Sequence, residues 1–440
     1  MTTKKALAAL AAVAAISGGL AACGGGGGKT ASTASGTGTG ADSGKRVTIT
    51  VWHGQNQSAE KVFNRLVDRF NATHPNIHVD SQVGSLADSM LQKVTAALAG
   101  GKYPDMAYIF GPNVPNLARS PKALDLTDAV KQPGWNWDDF FPAARTAVTV
   151  DGRVRAVPAV IDSMAVVYNK RLFQQAGIPA PKAGWTWDDY VATAKKLTNA
   201  GKGVFGTGWP ATGDEDTVWR IWPMVWGAGG DVLAPGGTSV GYAGQSGLRA
   251  LTTAQQLGRD KSVYLDKTTG SEQMYRVFNN GRMGMVPTGP WELPDIVDAK
   301  VDYGVVPMPT YGGKAVTISG PDTWMLFDNG DARAKAATTF AQWLSQPAQD
   351  AVWDIDAGSL PLRRSSADQA VWKRHAAQVD GVQDFVDALG DARVRPSIQN
   401  YPKLSEAFGQ AITGVLLGQK SPQDGLKQAV DGGNKALQDQ

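Results

Sequence analysis

Between residues 47 and 110 the hydrophobic period switches repeatedly, and that alternation decides which folds are open to this chain. Val47-Thr-Ile-Thr-Val-Trp52 is an apolar, β-branched run that ends at Gly54 and reads as a strand. Ala59 to Phe70 places Val62, Phe63, Leu66, Val67 and Phe70 at helical spacing. Ile77 to Val83 is a second strand, and Ser85 to Ala99 a second helix closed by Gly100-Gly101. Met106 to Phe110 is a third strand, apolar throughout. Strands joined by helical crossovers run parallel, so the expected class is α/β. In such sheets ligands gather beyond the carboxyl ends of the strands. That rule singles out Gln55 and Asn56 after the first strand, with His53 a weaker candidate, and Asn113 after the third.

The stretch from Val47 to Gln440 is too long for one ordinary core, so two lobes are expected. A second α/β region follows the first. Ala156 to Ile161, Met164 to Tyr168, Met283 to Val286 and Tyr303 to Val306 read as strands, interleaved with helices near residues 190–200, 247–258 and 272–280. Helices near 334–345 and 348–353 and a helical tail from about Leu404 complete the chain. Trp135-Asn-Trp-Asp-Asp-Phe140 is echoed by Trp185-Thr-Trp-Asp-Asp-Tyr190. Each copy has an N-cap residue, Asn136 or Thr186, followed three positions later by an acid, so each is read as a capping box opening a helix.

Charge excludes some partners. Setting aside Lys4, Lys5, Lys29, Lys45 and Arg46 from 43 bases, and Asp42 from 40 acids, leaves the region from Val47 onward within one charge of neutral. Such a globule has no general attraction for nucleic acid or anionic lipid. His74 and His78 are separated by Pro75 and enter a strand, so they make no helical metal pair. No metal or cofactor is expected.

The N-terminus is a different kind of segment. Lys4 and Lys5 precede an uncharged apolar run, Ala6 to Ile16, and then Ser17-Gly-Gly19. That order marks an export leader, too short to span a bilayer. The only cysteine, Cys23, follows Leu20-Ala-Ala22, a pattern that resembles a bacterial lipobox. The expectation is a leader over 1–22 and an acylated Cys23. The Gly/Ser/Thr-rich tether over 23–46 cannot bury apolar surface.

Several motifs, in order along the chain, carry a family resemblance. They are Gly101-Lys-Tyr-Pro-Asp105, Val157-Pro-Ala-Val-Ile-Asp-Ser-Met-Ala-Val-Val-Tyr-Asn-Lys170, Pro181 through Trp185-Thr-Trp-Asp-Asp-Tyr190, and Gly281-Arg-Met-Gly-Met285. Gly289-Pro-Trp-Glu292, Tyr303-Gly-Val-Val-Pro-Met-Pro309 and Gly358-Ser-Leu-Pro-Leu362 continue the series. Together they resemble the extracellular solute-binding proteins of sugar ABC importers. The resemblance implies a two-lobed periplasmic-binding-protein-like fold of type II, with a ligand cleft between hinged lobes. It places 47–159 with 312–346 in the first lobe and 160–311 with 347–440 in the second. It also implies a monomer that captures a carbohydrate, catalyses nothing, and meets ABC permease subunits, with the lipid as its one membrane attachment.

Aromatic rings suit the C–H faces of a pyranose, and carboxylates and amides suit its hydroxyls. Trp209 lies in a Gly-Trp-Pro loop directly after the strand-like Gly203 to Gly206, and Trp226 precedes the Gly227–Gly230 turn, with Trp219 and Trp222 lesser candidates on the same face. By the resemblance, Trp291 stacks on the sugar and Asp162 at the lobe crossover binds it. Glu292 beside Trp291 is a hydroxyl acceptor, and Asp322 and Trp324 open the strand returning through the first lobe. The fourteen tryptophans favour a di- or oligosaccharide. The alternatives are a phosphorylated polyol such as glycerol 3-phosphate, with Arg363 or Arg364 pairing the phosphate, and a secreted glycoside hydrolase.

Overall fold

The computed structural model describes residues 46–438 other than 56, 85 and 86. The leader, Cys23 and the stretch to residue 45 lie outside the described residues, as does Asn56. Among the described residues, the longer strands are β1 (Val47–His53), β2 (Ile77–Val83), β3 (Met106–Phe110), β4 (Val157–Val160), β5 (Ala165–Asn169), β6 (Phe205–Pro210), β7 (Val263–Asp266), β8 (Met283–Thr288), β9 (Tyr303–Val306) and β10 (Asp322–Leu326). They form two five-stranded sheets, β2-β1-β3-β10-β4 and β9-β5-β8-β6-β7.

As the alternation predicts, β1 runs parallel to both β2 and β3, with Val47 opposite Ile77 and Val51 opposite Met106. The helices between them, Gln57–Thr73 and Ala87–Ala99, supply the crossovers. The sheet is nevertheless mixed. β10 lies antiparallel between β3 and β4, with Asp322 opposite Phe110 and Val160. It starts where β3 ends, because the chain arrives there from the second sheet rather than through a crossover helix.

The second sheet is buried on both faces. Val166 and Tyr168 of β5 pack into one core with Trp209, Trp222 and Phe408, while Ala165 and Val167 pack into another with Phe278 and Phe385. The two-residue period of a strand separates the sets. Most of the tryptophans are buried in the hydrophobic cores of the two sheets. Trp209 sits within β6 rather than in a loop after it, 2% exposed, with Nε1 donating to the Thr217 carbonyl at 3.3 Å.

Three segments crossing between the sheets lie side by side. Residues 161–164 join β4 to β5, residues 307–321 join β9 to β10, and the third follows the helix Pro347–Trp353. Leu360 N–H donates to the Ile161 carbonyl at 3.0 Å, and Gly320 N–H to Asp162 Oδ1 at 2.7 Å. The helix Pro347–Trp353 falls in the stretch assigned above to the second lobe, yet Trp353 packs in the first core, edge-on to Phe63 at 6.0 Å.

The two echoed motifs behave differently. Thr186 and Asp189 form the capping box of the helix Trp187–Leu197, with hydrogen bonds of 3.1 and 2.9 Å. Asn136 caps nothing. Its φ is 47°, and only a single 3-10 turn, Trp137–Asp139, follows. Pro142 disfavours helical backbone at Phe141, and Asp139 instead accepts the Ser365 N–H at 3.1 Å.

Asp105 clamps the first sheet. Fully buried, it accepts the Thr50 N–H at 2.7 Å, Arg333 Nε at 2.8 Å and Asn329 Nδ2 at 3.1 Å. One carboxylate thus ties β1 to the helix Asp331–Leu344. Replacing Asp105 with Ala leaves the Thr50 donor unmet and should destabilise the protein by on the order of 3 kcal/mol. Denaturant unfolding would measure it; a loss within error would contradict the clamp.

Candidate functional site

A cavity lies between the two sheets and encloses about 1230 Å³ of empty space, its open mouth included. From the first sheet it is lined by Gln55, Tyr108, Phe110 and Asp322. Trp219, Trp291, Glu292 and Arg395 face them from elements packed on the second sheet, and Asp162 and Gly320 lie at the crossing. The carboxyl ends of the first sheet's strands reach this cavity: Gln55 follows β1, and Phe110 ends β3.

Local structure explains how each group is aimed. Pro290 opens the 3-10 turn Pro290–Glu292 after β8, where its fixed φ suits the first position. Gly289 lets the indole of Trp291 fold back over the backbone, since a Cβ there would lie 1.8 Å from the ring. Trp219 ends the short helix Glu215–Trp219 and meets Trp291 with ring centroids 5.5 Å apart, tilted by 59°. The two indoles form a corner. Gly320 is the close approach on the opposite side. A Cβ there would lie 3.0 Å from Arg395 Nη2, 3.3 Å from Trp219 Nε1 and 3.4 Å from Asp162 Oδ1.

The lining is acidic: Asp162, Glu215, Asp216, Glu292, Asp295 and Asp322 against Arg395 alone. Two of these carboxylates are neutralised. Glu215 accepts from Arg395 Nη1 at 2.7 Å, from the Tyr401 hydroxyl at 2.8 Å, and from Ser405. Asp216 binds the buried Arg220, which also donates to Tyr275 Oη at 2.6 Å. Among the described residues, Asp162, Asp295 and Asp322 have only neutral hydrogen-bond donors. Asp322 accepts the Tyr108 hydroxyl at 2.7 Å, Asp295 the Ser58 hydroxyl at 2.6 Å, and Asp162 the Gly320 N–H. Glu292 is 4% exposed, and its Oε2 has no partner among the described residues.

These surroundings shift the acids. Burial pushes the Asp162 carboxyl up to about 7, against the pull of the Gly320 N–H and Arg395. Burial, then the charge of Asp162, pushes Asp322 up to about 8. Burial and Asp295 hold Glu292 well above the usual carboxylate range, with Arg220 opposing.

Of the residues singled out from sequence, Gln55, Asp162, Trp291, Glu292 and Asp322 line this cavity together. Others lie elsewhere. Asn113 lines an adjoining cavity that shares Phe110, Glu215 and Arg395 with the first. Trp209 and Trp226 are core; Trp226 donates to Asp231 Oδ1 at 3.0 Å and lies under Arg393. Trp324 is 4% exposed and stacks on Phe63 at 5.2 Å. His53 is buried against Phe63 at 4.8 Å. Arg363 and Arg364 do not reach the cavity. Arg363 is fully buried and donates to the Trp135 carbonyl at 3.0 Å, and Arg364 donates to the Asp138 carbonyl at 2.9 Å. Sequence reading missed Tyr108, Glu215, Asp216 and Arg395, and undervalued Trp219. The acids of Asp214-Glu-Asp216 beside Trp219 were the available signal; nothing local marks Arg395.

Comparison with known proteins agrees with this architecture. The family model for bacterial extracellular solute-binding proteins matches residues 54–351. The sn-glycerol-3-phosphate-binding periplasmic protein UgpB of Pectobacterium atrosepticum is 23% identical over 413 residues, covering 88% of this chain and 91% of that one. The ABC substrate-binding protein Lmo0181 of Listeria monocytogenes, solved with cycloalternan, superposes with a TM-score of 0.81 at 22% identity over 90% of this chain and all of that one. The cyclic alpha-maltosyl-1,6-maltose binding protein of Arthrobacter globiformis gives 0.72 at 26% identity, with coverage of 90% and 100%.

The raised carboxyls set a pH dependence. Folded, Asp162 and Asp322 keep protons that the unfolded chain releases near pH 4. Their stabilisation is full below that pH and is lost as pH rises through about 7 and 8. The melting temperature of the ligand-free protein should therefore fall from pH 5 to pH 8, and Asp322→Asn should flatten the slope. An equal slope in the variant would contradict the assignment.

Proposed function

We propose that this chain, which belongs to the family of bacterial extracellular solute-binding proteins, captures a carbohydrate between two hinged lobes and delivers it to the permease of an ABC importer. The first lobe is built on 47–159 and 312–346, and the second on 160–311 and 347–440, with Pro347–Trp353 packed in the first core. The carrying observation is the corner of Trp219 and Trp291 in one cavity with carboxylates that have no cationic hydrogen-bond partner among the described residues. A pyranose offers C–H faces to the indoles and hydroxyl donors to Asp162, Glu292 and Asp322. The tryptophan count says little about ligand length, because most of those rings are core. A di- or oligosaccharide is favoured instead by the similar structures solved with such ligands, among them Lmo0181 with cycloalternan.

The mechanism has no covalent step. Ligand touching both lobes favours the closed arrangement, and the permease reads that closure. Gln55, Tyr108 and Asp322 contribute from one side and Trp291 and Glu292 from the other. The protein is a monomer and not an enzyme. Cys23 carries the lipid that holds it at the outer face of the cell membrane, after removal of 1–22. Among the described residues no helix is long and apolar enough to cross a membrane.

A second reading, capture of a phosphorylated polyol, is favoured by the UgpB relative. Arg395 would then face the phosphate, but it already serves Glu215 and stands among six carboxylates. That arrangement disfavours a dianion.

A thermal-shift screen of saccharides and sugar phosphates separates the readings. A true ligand at 100 times its Kd adds about 2.7 kcal/mol of stability. We expect saccharides to register and phosphate esters not to; the reverse result would overturn the carbohydrate assignment. Trp291→Ala should abolish most binding while the protein stays folded, and unchanged affinity would remove Trp291 from the site. Cys23→Ser should release the protein into the medium with binding intact; retention at the membrane would contradict the anchor.

A further inference from the structure

Four acids of the cavity lining, Asp162, Glu292, Asp295 and Asp322, have no cationic hydrogen-bond or ion-pair partner among the described residues, and the lining holds no lysine. In the empty cavity burial keeps Asp162, Glu292 and Asp322 largely protonated. A cation that reaches them can exchange for such a proton and form a charge-assisted pair, which a neutral hydroxyl cannot. One of the four stands out. Glu292 is more than nine-tenths buried on the cavity wall, and its Oε2 receives no hydrogen bond from the described residues. Its neighbour in sequence, Trp291, forms the indole corner with Trp219. The two indoles and Glu292 line the same cavity, and aromatic faces and carboxylates each favour a cation.

We propose that the preferred ligand is an amine-bearing saccharide, whose ammonium group lies between the Trp219–Trp291 corner and Glu292 while Asp162 and Asp322 take its remaining donors. This rests on the carbohydrate reading above and narrows it to a substrate class.

The groups facing each acid fix how protons move. Around Glu292 stand Asp295, Asp216, Arg220 and Tyr275; around Asp322 stand Asp162, Tyr108 and Arg395. In the ligand-free cavity these carboxyls hold protons, because burial raises them. The exchange on binding is a carboxylic acid and an ammonium giving a carboxylate–ammonium pair and one proton released to solvent. Binding of the amine therefore strengthens as pH rises from 6 towards 7.5, and a neutral saccharide shows no such release.

The test is isothermal titration of the full chain with di- and trisaccharides. Each is supplied in three forms: plain hydroxyl, 2-amino-2-deoxy, and N-acetylated. Measurements in buffers of different ionisation enthalpy count protons. The free amine should bind roughly 30-fold or more tightly than its hydroxyl and N-acetyl counterparts, the scale of a buried charge pair. Net proton release at pH 7 should accompany the amine alone, and the amine-to-hydroxyl ratio should be smaller in Glu292→Gln. Equal or tighter binding of the hydroxyl form, without proton release, would overturn the inference and leave saccharide capture standing. If no form of any saccharide registers, the carbohydrate reading fails and this inference with it.

Discussion

The site depends on one hydrogen bond at the crossing between the sheets, from Gly320 N–H to Asp162 Oδ1 at 2.7 Å. Asp162 follows β4 as the chain leaves the first sheet, and Gly320 precedes β10 as it returns. The bond therefore joins the outgoing and returning segments where they pass each other, and the Leu360–Ile161 bond adds the third beside them. Two residues after Gly320, Asp322 enters the first sheet and faces the cavity. A short contact thus positions both carboxylates that line the cavity at the crossing. A side chain at 320 would press on Arg395, Trp219 and Asp162, which would have to give way by a few tenths of an ångström.

Charge is the second organising constraint. Arg395 and Arg220 each neutralise one acid of the cavity wall, and each is deeply buried in doing so. Committing these cations to Glu215 and Asp216 leaves Asp162, Glu292, Asp295 and Asp322 dependent on neutral donors. Burial raises Asp162, Glu292 and Asp322 in the empty cavity, and neighbouring acids add to it at Glu292 and Asp322.

Local signals carried much of this into the sequence. The parallel arrangement of β1, β2 and β3 was legible because each element has a clean period and the crossovers are short. Trp291 was singled out by the family resemblance of Gly289-Pro-Trp-Glu292, and Glu292 as the carboxylate beside it; both line the cavity. The placement of β10 was not legible, since its antiparallel entry depends on where a segment from the other sheet arrives. Trp209, Trp226 and Trp324 looked like ligand platforms beside glycine and proline. The structure uses them as core, because a ring of that size near a sheet is buried by whichever helix packs above it. Arg395 was invisible for a related reason. It comes from a distant irregular segment, and only the fold brings it against Glu215 and Phe110.

The most direct measurement is a crystal structure of the protein purified from its own cells, with its cargo in place and identified by mass spectrometry. Capture of a carbohydrate predicts one saccharide between the sheets, a ring face against Trp291 or Trp219 and polar groups on Asp162, Glu292 and Asp322. A phosphate ester held by Arg395, or a ligand bound outside this cavity, would contradict it.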